Sequence, residues 1–195
     1  MPCESNDTDK KDALLVADAF EIDYDILNLD KVIKEMYNLI GPYNTQSRAN
    51  MKARLRMCVL YDIAWCSNYL VAGTGNKSEI RIGYFTKYGD GACDILPLGD
   101  LYKSQIYEIA EELKIPRRII DKEPSAGLWE GQTDEQEIGF TYDELELMDR
   151  NGALKHSGVA IEKQEKYFEL VNKNIHKRVP IPMYHLIKPI KKGKR

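Results

Sequence analysis

Residues 69–79, YLVAGTGNKSE, run from a short apolar stretch through a glycine turn into a sequence that opens a helix. An uninterrupted apolar run of this length, bounded by a turn, reads as a buried parallel strand rather than as one face of an antiparallel sheet. Upstream, residues 50–68, NMKARLRMCVLYDIAWCSN, belong to a long helical pattern that begins near Asn44. Further upstream, residues 8–20 read as a helix with a Thr or Asp cap, and residues 24–30, YDILNLD, alternate like a strand. Asp30 caps a further helix, KVIKEMYNLI, which stops at Gly41-Pro42. Downstream come a short helix over 76–84, a loop rich in Gly and Asp (TKYGDGACDILPLGD, 86–100) and a helix over 101–113 that closes before Pro116. Strands alternating with helices predict an α/β fold: a parallel sheet with helices on both faces.

After Pro116 the chain reads as loop-rich cover through residue 145, then as a helix over 159–174, then as a tail punctuated by Pro180, Pro182 and Pro189. The length of 195 residues and a hydrophobic fraction of 43% suit a single domain with one sizeable core, extended by a basic tail over 188–195. Net charge is -3 and no basic stripe alternates with aromatics along the body, so no nucleic-acid partner is expected. No apolar run approaches the roughly 20 residues that span a bilayer, and the acidic start MPCESND is unlike a secretory leader. A cytoplasmic protein without membrane contact is the expectation. Cys3, Cys58, Cys66 and Cys93 form no C-x-x-C pair. They are expected to be free thiols, with Cys58 and Cys66 buried as small hydrophobes on their helix.

In open parallel sheets ligands sit at the carboxyl ends of strands, which directs attention to Gly73-Thr74-Gly75. The Thr74 hydroxyl suits an adenine or ribose; equally, the three residues suffice for a tight strand-to-helix turn. Glu79, one helical turn later, offers a carboxylate to a hard cation such as Mg²⁺ or simply to solvent. Lys103 lies in a helical first turn, where a cation opposes the dipole and needs a phosphate or a neighbour such as Asp100 to justify it. Lys87, Asp90 and Asp94 sit among glycines that let the backbone approach a ligand. Of Arg54 and Arg56, spaced by two, one faces a ligand or partner. The segment EPSAGLWEGQTDE, with Ser125 and Trp129, reads as a flap over a site or an ordinary connector. His176 and Lys177 complement the C-terminal end of a helix dipole.

Taken together, NMKARLRM, GTGNKSE, GYFTKYGDGACDILPLGDLYKSQ, KEPSAGLWEGQTDE and HKR resemble, in order and spacing, the blocks of the NAD synthetase family, over about residues 10–182. The resemblance implies a homodimeric N-type ATP pyrophosphatase of Rossmann-like, adenine nucleotide alpha hydrolase-like fold. Such an enzyme is a carbon–nitrogen ligase that uses ATP and Mg²⁺ to amidate nicotinic acid adenine dinucleotide (deamido-NAD) with ammonia. The products are NAD, AMP and pyrophosphate. By the same resemblance Thr74, Lys103 and Ser125 contact ATP, Glu79 holds Mg²⁺, and Arg54, Lys87, Asp94, His176 and Lys177 bind the deamidated dinucleotide at a dimer interface built on the helix that carries Arg54. The family's Ser-Gly-Gly-x-Asp-Ser pyrophosphate loop, with its strand and helix, has no counterpart ahead of MPCES. The expectation is an N-terminally shortened member with diminished catalysis; the alternative is a dimeric remnant that binds the dinucleotide without ATP chemistry. A guanylate-amidating relative should lack the KARLRM and TKYGDG blocks, and both are present.

Overall fold

The computed structural model describes residues 1–41, 44–127, 131–150 and 158–184. The basic tail over 188–195, Pro189 and the flap residue Trp129 lie outside the described residues.

Helix α1 (Asp7–Ala19) starts one turn earlier than its expected caps, because the Asn6 side chain accepts the Thr8 N–H, with Asp7 and Asp9 favourably placed on the N-terminal dipole. Helix α2 (Asp30–Ile40) takes Asp30 as its first residue rather than as its cap; the Asp30 carboxylate accepts the Glu4 N–H at 2.6 Å and ties the N-terminal segment down. It ends on Gly41 at φ +85°, a conformation available to glycine without steric penalty. Helix α3 (Thr45–Ser67) is capped by Asn44 and closes on Asn68 in the left-handed region. Ile33 of α2 packs with Leu29 and Cys3 in a small core that Met51, Leu55 and Val59 of α3 complete.

Between α3 and the next helix the chain makes the parallel pairing expected of its apolar run. Ala72 bridges Ile95 in parallel, Gly73 N–H donates to Ile95 O at 2.8 Å, and Asp94 N–H donates to Val71 O at 2.8 Å. That bridge is the whole of the β-pairing among the described residues. Residues 24–30, expected as a strand, are not one. Tyr24, Ile26 and Leu27 are exposed, and the segment is held at its end by Leu29 N–H donating to Pro2 O rather than by a neighbouring strand. Alternation specifies a strand only where a partner edge satisfies the backbone. Helices Lys77–Ile82 (α4) and Lys103–Glu112 (α5) stand where the sequence places them.

The stretch expected as loop contains three more helices: α6 (Arg117–Ile120), α7 (Asp134–Ile138) and α8 (Tyr142–Arg150). Their signals are local. Thr133 caps α7 by accepting the Gln136 N–H, and Thr141 and Glu144 exchange the reciprocal bonds of a capping box ahead of α8. Helix α9 (Ile161–Lys173) follows, with a 3-10 turn at Ile175–Lys177. Helices α4, α8 and α9 enclose the second core, in which Ile82, Phe140, Leu145, Met148 and Tyr167 are buried around Tyr142.

The four cysteines are free thiols as expected, but Cys58 and Cys66 are exposed and Cys3 is the buried one. Met51, Leu55 and Val59 of α3 meet the small core and Ala49, Lys52, Ala53 and Ala64 are buried, while Cys58, Trp65 and Cys66 stand exposed. Asp12, buried on α1, accepts from Arg118 at 2.6 Å and Lys122 at 2.8 Å, and these bonds hold its carboxyl below the usual carboxylate range. The cluster clamps α6 and the segment leading to Ser125 against α1. Among the described residues no helix is long and apolar enough to cross a membrane.

Candidate functional site

One cleft of about 1010 Å³ lies between α3, the 83–90 turn, α5, α6 and the 3-10 turn. Eight of the nine residues singled out in the sequence line it. They are Thr74, Glu79, Lys103 and Ser125, expected at ATP, and Arg54, Lys87, His176 and Lys177, expected at the dinucleotide. The ninth, Asp94, does not. Its carboxylate accepts the Val71 N–H at 2.8 Å and the Tyr61 hydroxyl at 3.4 Å, so it ties the end of the apolar run to α3. Asp90, from the same loop, does line the cleft and accepts the Thr86 N–H.

The basic side is built by cross-bracing. Arg54 Nε donates to Lys87 O at 3.3 Å, and Lys87 Nζ donates to His176 O at 2.6 Å. Lys177 Nζ donates to Gly83 O at 2.7 Å and Phe85 O at 2.8 Å, and partial burial lowers its pKa. Asn174 adds a bond from Nδ2 to Ile82 O at 3.0 Å. The end of α9 is thereby fastened to the turn that carries Lys87. Arg56 also borders the cleft, but its polar end is engaged by the N-terminal segment: Nε donates to Met1 O and a terminal nitrogen to Ser5 Oγ, both at 3.0 Å, so Arg54 is the arginine bonded to the Lys87 turn.

On the other side Glu79 is fixed by its place in α4. It is the third residue of a capping box: Asn76 Oδ1 accepts the Glu79 N–H, and Glu79 Oε2 accepts the Asn76 N–H at 3.0 Å. That bond turns the carboxylate back toward the strand end, with Oε1 3.3 Å from the Tyr142 hydroxyl and 4.0 Å from Lys103 Nζ. Burial raises the Glu79 pKa, opposed by the Asn76 N–H and by Lys103. Lys103 is thus the partner of Glu79; Asp100, its candidate partner in the sequence, binds Lys77 at 2.9 Å instead. Ser125 is exposed, and its Oγ accepts the Gly127 N–H at 3.1 Å.

Of the carboxylates that line the cleft, Asp90, Asp134 and Glu137 already accept bonds from Thr86, Tyr142 and Tyr84, while Glu79 keeps lone pairs on both oxygens with an ammonium beside it; with no cluster of three or more metal-ligating side chains among the described residues, this donor set fits Mg²⁺ arriving with polyphosphate oxygens, not an all-protein cage.

Behind Glu79 stands a network that the sequence reading passed over. Tyr142 donates to Asp134 Oδ2 at 2.7 Å, and Tyr84 lies 3.1 Å from Asp134 Oδ1 and 2.8 Å from Glu137 Oε2, which also accepts from Gln132 at 2.6 Å. Burial pushes both tyrosine hydroxyls well above their ordinary pKa, so they act as donors throughout the physiological range. The legible signal was the capping box at Thr141 that makes α8 a helix and fixes the position of Tyr142. Ile106, Ala110, Ile115 and Ile119 supply an apolar wall on the α5–α6 side.

The NAD synthase family model matches residues 1–181. The NH(3)-dependent NAD(+) synthetase of Carboxydothermus hydrogenoformans is 48% identical over 151 residues, which are 75% of this chain and 62% of that protein. This chain therefore spans less than two thirds of the length of that relative. Among solved structures, the NMN synthetase of Francisella tularensis superposes with a TM-score of 0.84 at 36% identity, over 93% of this chain and 75% of that one. The NH3-dependent NAD synthetase of Campylobacter jejuni, in complex with nitrate, gives 0.76 at 29% identity, over 93% and 73%. The shared architecture is α/β and Rossmann-like, of the adenine nucleotide alpha hydrolase kind, in line with the fold class expected from the alternating elements. From the motif blocks, the cleft they line and the match over residues 1–181, the chain belongs to the NAD synthase family.

Proposed function

We propose that the cleft amidates nicotinic acid adenine dinucleotide with ammonia at the expense of ATP, giving NAD, AMP and pyrophosphate. The observation that supports this most is the joining, in one cavity, of a hydroxyl, ammonium and carboxylate set (Thr74, Ser125, Lys103, Glu79) with a basic set (Arg54, Lys87, His176, Lys177). Two anionic nucleotides brought to react need both kinds of group in one space.

A carboxylate is a poor acyl donor because its leaving group would be oxide. On this reading a nicotinate oxygen attacks the α-phosphorus of ATP, pyrophosphate departs, and the acyl adenylate accepts ammonia with loss of AMP. Lys103 neutralises phosphate charge, Thr74 and Ser125 hydrogen-bond the nucleotide, and the basic wall orients the dinucleotide. Mg²⁺ held by Glu79 supplies Lewis-acid neutralisation of the polyphosphate when bound. Asp94, whose carboxylate accepts from Val71 and Tyr61 outside the lining of the cleft, is assigned to the dinucleotide by the family resemblance alone. The chain works as a homodimer, which the outward-facing Leu60, Ile63 and 87% exposed Trp65 of α3 favour; sedimentation as a monomer at micromolar concentration contradicts that part.

The chemistry has an isotopic signature. With the nicotinate carboxyl labelled in ¹⁸O, one labelled oxygen is expected in the AMP released per NAD formed; unlabelled AMP, or ADP in its place, contradicts the adenylate route. Because the Francisella structure is of an NMN synthetase, nicotinic acid mononucleotide is the second candidate substrate. Comparing kcat/KM for the two acids in the same assay assigns the substrate.

A further inference from the structure

We propose that Tyr142 is the positioning residue that fixes Glu79 and Lys103 relative to each other for a metal–polyphosphate ligand. The proposal rests on the reading of those two residues as the metal and phosphate contacts. Tyr142 touches both: its hydroxyl is 3.3 Å from Glu79 Oε1, and the Lys103 ammonium sits 5.0 Å from the centre of its ring. A phenol has one proton to give. The 2.7 Å bond to Asp134 Oδ2 is the strong one and the 3.3 Å contact to Glu79 the weak one, so Glu79 is oriented while its oxygen stays available to an incoming ligand.

The tyrosine itself cannot wander. It is 7% exposed among Ile82, Leu145 and Met148, and its own N–H donates to Glu135 Oε1 at 3.0 Å. Asp134, its anchor, is also buried, is approached on its other oxygen by Tyr84 at 3.1 Å, and donates its backbone N–H to Pro124 O at 3.0 Å. The last bond closes the neck of the loop that carries Ser125. One buried tyrosine therefore links the α4 carboxylate and the base of the Ser125 loop through its hydroxyl, and the α5 ammonium through its ring. Groups that orient a metal-binding carboxylate in this way typically govern affinity as strongly as the second contact of the ligand itself.

The experiment is calorimetric titration of the full chain with ATP, in the presence and absence of Mn²⁺, for the native protein, Tyr142→Phe and Glu79→Gln. Tyr142→Phe keeps the ring under Lys103 and the packing of the core. It is expected to weaken Mn²⁺·ATP binding about 10- to 100-fold while leaving metal-free ATP affinity at the native value. Should the phenylalanine variant unfold, Asp134→Asn, which weakens the anchor without removing the ring, is expected to show a smaller loss confined to the metal-dependent part. Native affinity for Mn²⁺·ATP in both the Tyr142 and Asp134 variants, with Glu79→Gln impaired, overturns the positioning role and leaves the site reading intact. If native protein shows no metal-dependent gain in ATP affinity and Glu79→Gln behaves like it, the reading of the site fails and the proposal with it.

Discussion

Replacing Glu79 by glutamine is expected to lower ATP-dependent amidation by about 10²- to 10³-fold, the usual consequence of removing one preorganised electrostatic contact from a reacting polyphosphate. Glutamine is the informative choice because Glu79 has two roles. Its Oε2 closes the capping box on Asn76, and a glutamine at that third position closes the same box with its amide oxygen. Its Oε1 faces Lys103 and the cleft, where only a charged oxygen suits a dication. Glu79→Gln should therefore unfold near the native temperature and fail in catalysis. Glu79→Ala should fail in both, losing about 1 kcal/mol of capping as well. Full activity in the glutamine variant would reduce Glu79 to a helix cap, and the measurement that decides is kcat/KM for ATP beside thermal unfolding of the same preparations.

Gly83→Ala is expected to be strongly damaging, because it combines a steric clash with a left-handed backbone. Gly83 sits at φ +71°, and an added Cβ there would come within 2.5 Å of Asn174 Cβ. The left-handed conformation alone costs an alanine about 1 to 2 kcal/mol. The clash must also displace Asn174, whose side chain holds Ile82 O, and slacken the grip of Lys177 on Gly83 O and Phe85 O. A total near 3 kcal/mol is the expected order, a large share of the 5–15 kcal/mol that typically separates folded from unfolded domains. Gly139→Ala provides the control: Gly139 is left-handed like Gly83, at φ +81°, but among the described residues nothing lies within 4 Å of the added Cβ, so it carries the backbone strain alone. Chemical denaturation of the two variants should show Gly83→Ala losing clearly more. Equal losses would mean that Asn174 yields freely and the clamp on the basic wall is loose. Because Lys87 donates to His176 O across the same junction, the Gly83 variant should also bind the dinucleotide less tightly wherever it remains folded.

The sequence was most informative where chemistry and local geometry coincide. GTGNKSE could be read as a strand end followed by a helix because glycines, an Asn cap and a Glu three residues later are local signals, and the capping box at Asn76 and Glu79 is the result. The long helix with Arg54 was legible from the length of its helical pattern, which begins near Asn44. The strand expected over 24–30 was not realised, because pairing depends on a neighbouring edge that no local pattern encodes. Burial of Cys58 and Cys66 was misjudged for a related reason: which residues of α3 are covered depends on how far α2 and the N-terminal segment reach over it, which no local pattern encodes. Helices α7 and α8 were missed because short acidic helices lack a long apolar stripe, although the Thr141 and Glu144 pair announces one of them. Within the site, single residues were findable by type and position. Their supports were not: Tyr84 meets Asp134, and Tyr142 meets Glu79, only when residues 50 or more apart are brought within hydrogen-bonding distance.

The central claim is that one cleft unites an ATP half and a dinucleotide half, and the most direct test is formation of NAD by the purified chain from nicotinic acid adenine dinucleotide, ATP, Mg²⁺ and ammonium, with Lys103→Ala and Arg54→Ala in parallel. The account predicts NAD formation by the native chain, lost in the Lys103 variant through ATP and in the Arg54 variant through the dinucleotide. Turnover undiminished by either substitution, or no NAD under saturating conditions, would contradict it.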